Sequence, residues 1–213
     1  MKNILKKFGH SILNAVIHIA YEIWTLAAWV LYFPKITYME GIDKKMLKSP
    51  SILIANHTNH RDGSFVPQAL HWCKMYVLVT SKWYDKKMLN VFFRHLRYIP
   101  INLKEMDNSW IDKAKRAIED GKSVLIFPEG VLPKDGTLGE FHPGFLMLSR
   151  LTDVPVIPVA ISGGYRKFHR QHILIGKRID FDVHKAGRPS VIMKEGAAVC
   201  RKQMEDMLKH FKA

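Results

Sequence analysis

Three apolar runs of strand length restrict the architectures open to this chain: Ile52-Leu-Ile-Ala55, Ser123-Val-Leu-Ile-Phe127 and Val154-Pro-Val-Ile-Pro-Val-Ala-Ile161. Each lacks the polar–apolar alternation of a half-exposed strand, so each reads as a strand covered on both faces. Strands of that kind belong to sheets whose crossover helices supply the cover. Met75–Thr80 is a further strand by its β-branched and aromatic content. Tyr98–Ile101 carries Pro100, which cannot donate to a ladder, and is expected near an edge. Ile173–Phe181 reads as a last strand, and Tyr38–Ile42 as a short strand or turn.

Helical patterns separate these runs. They cover Phe65–Leu70, Lys86–Leu96, a segment from Ser109 capped by Asp107, Asn108 or Ser109 and stopped by Gly121, then Phe145–Leu151 and about Met193–Phe211. The alternation predicts an α/β fold with a largely parallel central sheet flanked by helices. Residues 35–213 form that domain, and residues 1–34 a separate helical segment that precedes Pro34.

The leader begins with Lys2, Lys6 and Lys7 and continues as a mostly apolar stretch from Ile12 to Phe33. Asn14, His18 and Glu22 recur every fourth residue, extended by Ser11 and Thr25, which makes one narrow polar stripe on a helix. Glu22 and His18 interrupt the apolar region that a signal peptide needs, and no small-residue cleavage site follows. A spanning helix would have to hide Glu22. The expectation is an amphipathic helix lying at a membrane interface, with Tyr21, Trp24, Trp29 and Tyr32 at headgroup level.

The formal charge of +14 directs the chain toward polyanions. No helix-turn-helix pattern, zinc finger or aromatic RNA-binding signature accompanies it, so nucleic acid is not expected as a partner. An acidic lipid surface accords with the leader and with the mixed apolar and basic segment Lys82–Arg97. The two cysteines, Cys73 and Cys200, make no disulfide framework. Cys200 shares one helix stripe with Met204, Met207, Leu208 and Phe211 and reads as a core thiol. A reducing compartment, at the cytoplasmic face of a membrane, follows as the expected location of a peripheral or monotopic protein.

Chemistry concentrates at strand ends. Ile52–Ala55 runs into Asn56-His57-Thr-Asn-His-Arg-Asp62-Gly63. An imidazole and a carboxylate this close suit a general base and the group that orients it. By itself the pair also permits a helix cap, or a metal site using His57, His60 and Asp62, although no further ligand motif completes one. No serine or cysteine is placed as a nucleophile beside His57; Ser64, the first serine after it, reads as the start of a helix.

Taken in order, Asn56-His57-x4-Asp62, Phe127-Pro-Glu129-Gly130 and Val154-Pro-Val-Ile-Pro158-Val-Ala160 resemble the glycerolipid acyltransferase family that includes bacterial 1-acylglycerol-3-phosphate acyltransferase. The resemblance extends over about Gly41–Asp182, and Phe141-His-Pro-Gly144 resembles a further family signature. It implies that His57 deprotonates an acceptor hydroxyl, which attacks an acyl thioester without an acyl-enzyme intermediate. The co-substrates implied are acyl-CoA or acyl carrier protein and a lysophospholipid, most readily 1-acylglycerol-3-phosphate giving phosphatidate, with no other cofactor and no metal. Glu129 and Gly130 are implied to place the acceptor. Two positions depart from the family pattern: Asn102 stands where an arginine is common, and Val131-Leu132 where Thr-Arg is common. The cations that can take over phosphate binding from those arginines are Arg97, Lys104 and Lys134.

Overall fold

The computed structural model describes residues 15–81 except 18, 21, 24, 25 and 28, together with 97–102, 108–133, 136–165 and 168–211. The strands are β1 (Lys35–Tyr38), β2 (Ile52–Ala55), β3 (Met75–Thr80), β4 (Tyr98–Ile101), β5 (Ser123–Ile126), β6 (Val156–Ile161) and β7 (His172–Ile175). The helices are α1 (Asp62–Ala69), α2 (Ser109–Glu119), α3 (Gly144–Thr152) and α4 (Pro189–Lys209), with a single 3-10 turn at Lys44–Lys48. The described residues between 15 and 32 are also helical.

One seven-stranded sheet runs in the order β1-β7-β6-β2-β5-β3-β4. The five strands from β6 to β4 are mutually parallel, whereas β7 meets β6 antiparallel and carries β1 parallel beside it. The strands formed by the three apolar runs, β2, β5 and β6, occupy the middle of the sheet and are buried at every position. Their side chains alternate between two cores, as a period of two requires. Ile52 and Ile54, Val124 and Ile126, and Val156 and Ala160 face a cluster with Trp110, Phe145, Leu146 and Met204 of α2, α3 and α4. Leu53 and Ala55, Leu125, and Ile157, Val159 and Ile161 face the cluster with Phe65 and Val66 of α1, Leu47 and Tyr32. The fold is therefore the helix-covered, largely parallel sheet that the alternation predicts, with Pro100 on edge strand β4.

Two boundary differences from the sequence expectation have a visible physical cause. The helix expected from Phe65 begins at Asp62, because the carboxylate folds back over the preceding turn and starts the helix itself. Pro67 lies inside that helix and cannot donate to the carbonyl of Gly63, which accepts from the Tyr98 hydroxyl at 3.2 Å instead. The last strand ends at Ile175 rather than Phe181. A Cβ on Gly176 would come within 2.6 Å of Met207 Sδ and Pro158 Cγ, so the chain is squeezed beneath α4; Gly176 N gives a last bond to Pro158 O at 2.8 Å and the strand ends there. Cys200 is fully buried in α4, and burial pushes its thiol up to about 12. The helix expected at Lys86–Leu96 lies outside the described residues.

Leu125, with no exposed surface, packs at the centre of β5. Leu125→Ala is expected to cost about 2–5 kcal/mol of unfolding free energy, read from the midpoint of a urea titration.

Candidate active site

Parallel strands end on a common edge, and the polar turns after β2, β5 and β6 meet there. Asn56 joins the first to the third. Its amide donates to Ile161 O at 3.0 Å and accepts from Ile161 N at 2.7 Å, prolonging the β2–β6 ladder with a side chain. His57 follows at once, so its backbone is held in place from one side.

Asp62 holds it from the other. The carboxylate has no exposed surface. One oxygen, Oδ2, accepts from His57 Nδ1 at 2.9 Å, Thr58 N at 2.6 Å and Asn59 N at 2.7 Å. The other, Oδ1, accepts from the Thr58 hydroxyl at 3.1 Å and the Tyr165 hydroxyl at 2.6 Å. The spacing of the His/Asp pair thus has a physical cause: the intervening turn curls its amides around the carboxylate it must neutralise. Because Nδ1–H donates to Asp62, Nε2 is the nitrogen left with a lone pair. The imidazole also stacks on Phe127, with centroids 4.6 Å apart and planes at 28°. Burial first, and then the Asp62 charge, push the Tyr165 phenol far above its ordinary value, so it remains a donor.

Glu129 supplies the third support. Its carboxylate, 4% exposed, accepts from His57 N at 2.7 Å through Oε1 and from Gly139 N at 2.8 Å through Oε2. Arg201 of α4 fastens the same loop through Leu138 O and Gly139 O, both at 2.9 Å. Gly130 turns the chain with φ +69°, a conformation that side chains resist.

His57 stands between two cavities. One, of about 400 Å³, is mostly apolar and runs past Val77, Val79, Ile101, Trp110, Ile126 and Phe145. The other, of about 240 Å³, is polar and is bordered by Asn56, Thr58, Glu129, Thr137 and Ser162. Gly130 lines the apolar cavity and Glu129 the polar one. Asn102 is level with His57 through the registers of β2, β5, β3 and β4, but three strand spacings away, roughly 14 Å. Arg97 is exposed and level with Ile52, toward the amino ends of the strands. Lys104 and Lys134 lie outside the described residues. Ser64 donates its hydroxyl to Arg61 O at 3.0 Å, as a helix-starting serine does. Among the described residues no three histidine, cysteine or acidic side chains are grouped as metal ligands. Asp62 turns both oxygens to protein donors.

The model of the family described as Acyltransferase matches residues 35–162, more than half of the chain. The chain belongs to the acyltransferase family. A probable 1-acyl-sn-glycerol-3-phosphate acyltransferase of Mycoplasma genitalium is 25% identical over 152 residues, covering 68% of this chain and 56% of that protein. A chloroplastic 1-acyl-sn-glycerol-3-phosphate acyltransferase of Brassica napus is 43% identical over 67 residues, 30% of this chain and 20% of that protein. The chain spans about half the length, or less, of such curated relatives. The crystal structure of the 1-acyl-sn-glycerophosphate acyltransferase PlsC from Thermotoga maritima shares the fold. Its TM-score is 0.58 at 18% identity, over 97% of this chain and 83% of that one.

Within this family member, the His57–Asp62 pairing expected from the spacing is formed. The Tyr165 donor and the paired Asn56 amide are not visible in local sequence, because their partners lie 103 and 105 residues away. Glu129→Ala leaves the amides of His57 and Gly139 without their acceptor. The expected loss is about 1–3 kcal/mol per buried amide stranded, measured by denaturant unfolding, together with a fall in kcat.

Proposed function

We propose that the protein is an O-acyltransferase moving a fatty acyl group from acyl-CoA or acyl carrier protein to a lysophospholipid hydroxyl, most readily 1-acylglycerol-3-phosphate. The observation that carries this reading is the position of His57, oriented by Asp62, on the wall between an apolar cavity and a polar one. The apolar side suits an acyl chain and the polar side a glycerol backbone. His57 Nε2 takes the proton of the acceptor hydroxyl as its oxygen attacks the thioester carbonyl. Collapse of the tetrahedral adduct breaks the C–S bond, and the thiolate recovers the proton from the imidazolium. General-base action of this kind contributes about 10²–10⁴-fold, and holding the hydroxyl in reach adds to it. Glu129 borders the acceptor side, and Gly130 turns the chain beside it at the edge of the apolar cavity. A direct transfer suits a site whose nearest serine hydroxyl is committed to a carbonyl.

A hydroxyl lipid lacking the phosphate is the second acceptor class. It is favoured by the absence of lysine and arginine from the polar cavity among the described residues. Incubation with radiolabelled acyl-CoA and a panel of lysolipids separates the cases. Acceptor-dependent phospholipid is the expected product, acceptor-independent fatty acid would mean a thioesterase, and unchanged thioester a lipid-binding role. His57→Ala is expected to abolish transfer with little change in Tm; full activity in that variant would refute the mechanism. Asp62→Ala is a poorer probe, since it strands five donors at once.

The reading includes a peripheral place on an anionic, cytoplasm-facing leaflet. Val16, Ile19, Ile23, Leu26 and Val30 form an exposed apolar row on the amino-terminal helix. Phe168, 71% exposed, is tied to its end by Phe168 N donating to Leu31 O at 2.7 Å. Lys35 and Arg170 add positive charge beside it, both near enough to hold His172 below its usual range once burial has begun to do so. Among the described residues no helix is long and apolar enough to cross a membrane. The double variant Ile23→Glu, Leu26→Glu is expected to cut co-sedimentation with phosphatidylglycerol-containing vesicles about tenfold or more; undiminished binding would remove the helix from the interface.

A further inference from the structure

The His57–Asp62 pair is held by backbone on one side only. Thr58 N and Asn59 N both address Oδ2, the oxygen that already faces His57. The torsion of a carboxyl group about its last bond is broad, so two amides on one oxygen leave the plane of the group under-determined. Oδ1 must be fixed separately. Its shorter contact is the Tyr165 hydroxyl at 2.6 Å, against 3.1 Å for the Thr58 hydroxyl.

Tyr165 is itself tightly placed. Gly163 and Gly164, with φ of +71° and +67°, reverse the chain after β6. A Cβ at Gly163 would lie 3.2 Å from Thr58, so only glycine lets the two turns approach this closely. The phenol ring then stands edge-on to Tyr32 and to Phe65, each with centroids 5.4 Å away and planes near perpendicular. Further along, Gln171 N donates to Tyr32 O at 2.8 Å, so the loop and the end of the amino-terminal helix are joined at both ring and backbone. Tyr165 borders neither cavity.

We infer that Tyr165 is a positioning residue for acyl transfer: its hydroxyl fixes the plane of the Asp62 carboxylate and, through it, the tautomer and direction of His57. The inference rests on His57 acting as the base. It adds a group that never meets substrate yet sets how well the base is aimed. The hydroxyl also draws negative charge from the carboxylate.

Tyr165→Phe removes one oxygen and keeps the ring between Tyr32 and Phe65. The charged and titratable groups around the cluster are unchanged by it: Arg61 and Tyr32 beside the phenol, and Glu129 beneath the His57 amide. The expected result is a fall in kcat of about tenfold, the scale of one hydrogen bond to a charged group. KM for thioester and acceptor should stay within about twofold, because uniform substrate binding is untouched. The pH–rate profile changes along with kcat, and the ring-nitrogen NMR signals of His57 move in the absence of substrate as the Nδ1–H tautomer loses its fixed partner. Wild-type kcat with an unmoved profile overturns the inference. So does a loss confined to KM, or failure of the variant to fold, since either assigns the hydroxyl another role. His57→Ala is measured alongside: if it is fully active the base reading has failed, whereas an inactive His57→Ala with a wild-type Tyr165→Phe places the failure at Tyr165 alone.

Discussion

A carboxylate without exposed surface is the constraint around which this molecule is arranged. Burying an ion costs several kcal/mol unless donors replace its water. Asp62 meets that demand with the Thr58 and Asn59 amides, the Thr58 and Tyr165 hydroxyls and the His57 imidazole. The first three belong to its own turn, and Tyr165 completes the set from the loop after β6. The His57 contact is then an addition to a satisfied site, which lets the imidazole serve as the one member of the network with a nitrogen to spare.

The sheet supplies what the turn cannot. Asn56 ties the end of β2 to β6, and Glu129 ties His57 to the loop after β5. Three neighbouring strands therefore fix the backbone of one residue. Each strand is buried on both faces, and each projects its polar turn past the same edge. Removing water from the layers on either side is thus coupled to convergence of the polar groups at the edge. The apolar cavity is a continuation of the core that holds Trp110 and Phe145, interrupted where the carboxyl ends of the strands begin. A site of this construction can offer an acyl chain a core-like surface and a hydroxyl a polar one within reach of the same imidazole.

How much of this was legible in the sequence depended on the distance over which each contact acts. Runs such as Ile52–Ala55 and Val156–Ile161 declare themselves because covering both faces of a strand leaves no room for polar residues. The His57–Asp62 pairing was legible for the same local reason: one turn separates the partners. The start of α1 was misplaced by three residues, because a charged residue that closes a turn looks like loop until its donors are known. The end of β7 was misplaced because the ladder ends at Gly176, under pressure from Met207 and Pro158, neither of which is near it in the chain. The resemblance implies that Glu129 places the acceptor; what it does not imply is that both of its oxygens also accept from backbone, a pairing across 72 and 10 residues that no spacing rule encodes.

The same distinction bears on the two departures from the family pattern. Asn102 and Val131-Leu132 sit where arginines are common, yet the supports of His57 come from Asn56, Asp62, Glu129 and Tyr165, none of which touches those positions in the described contacts. The means of deprotonating a hydroxyl and the means of gripping what carries it are therefore built on separate residues. Asn102 is level with His57 but roughly 14 Å away across the sheet. On the proposed reading, the charge that recognises a headgroup can change while the base stays in place, and substrate choice varies on a fixed chemical step.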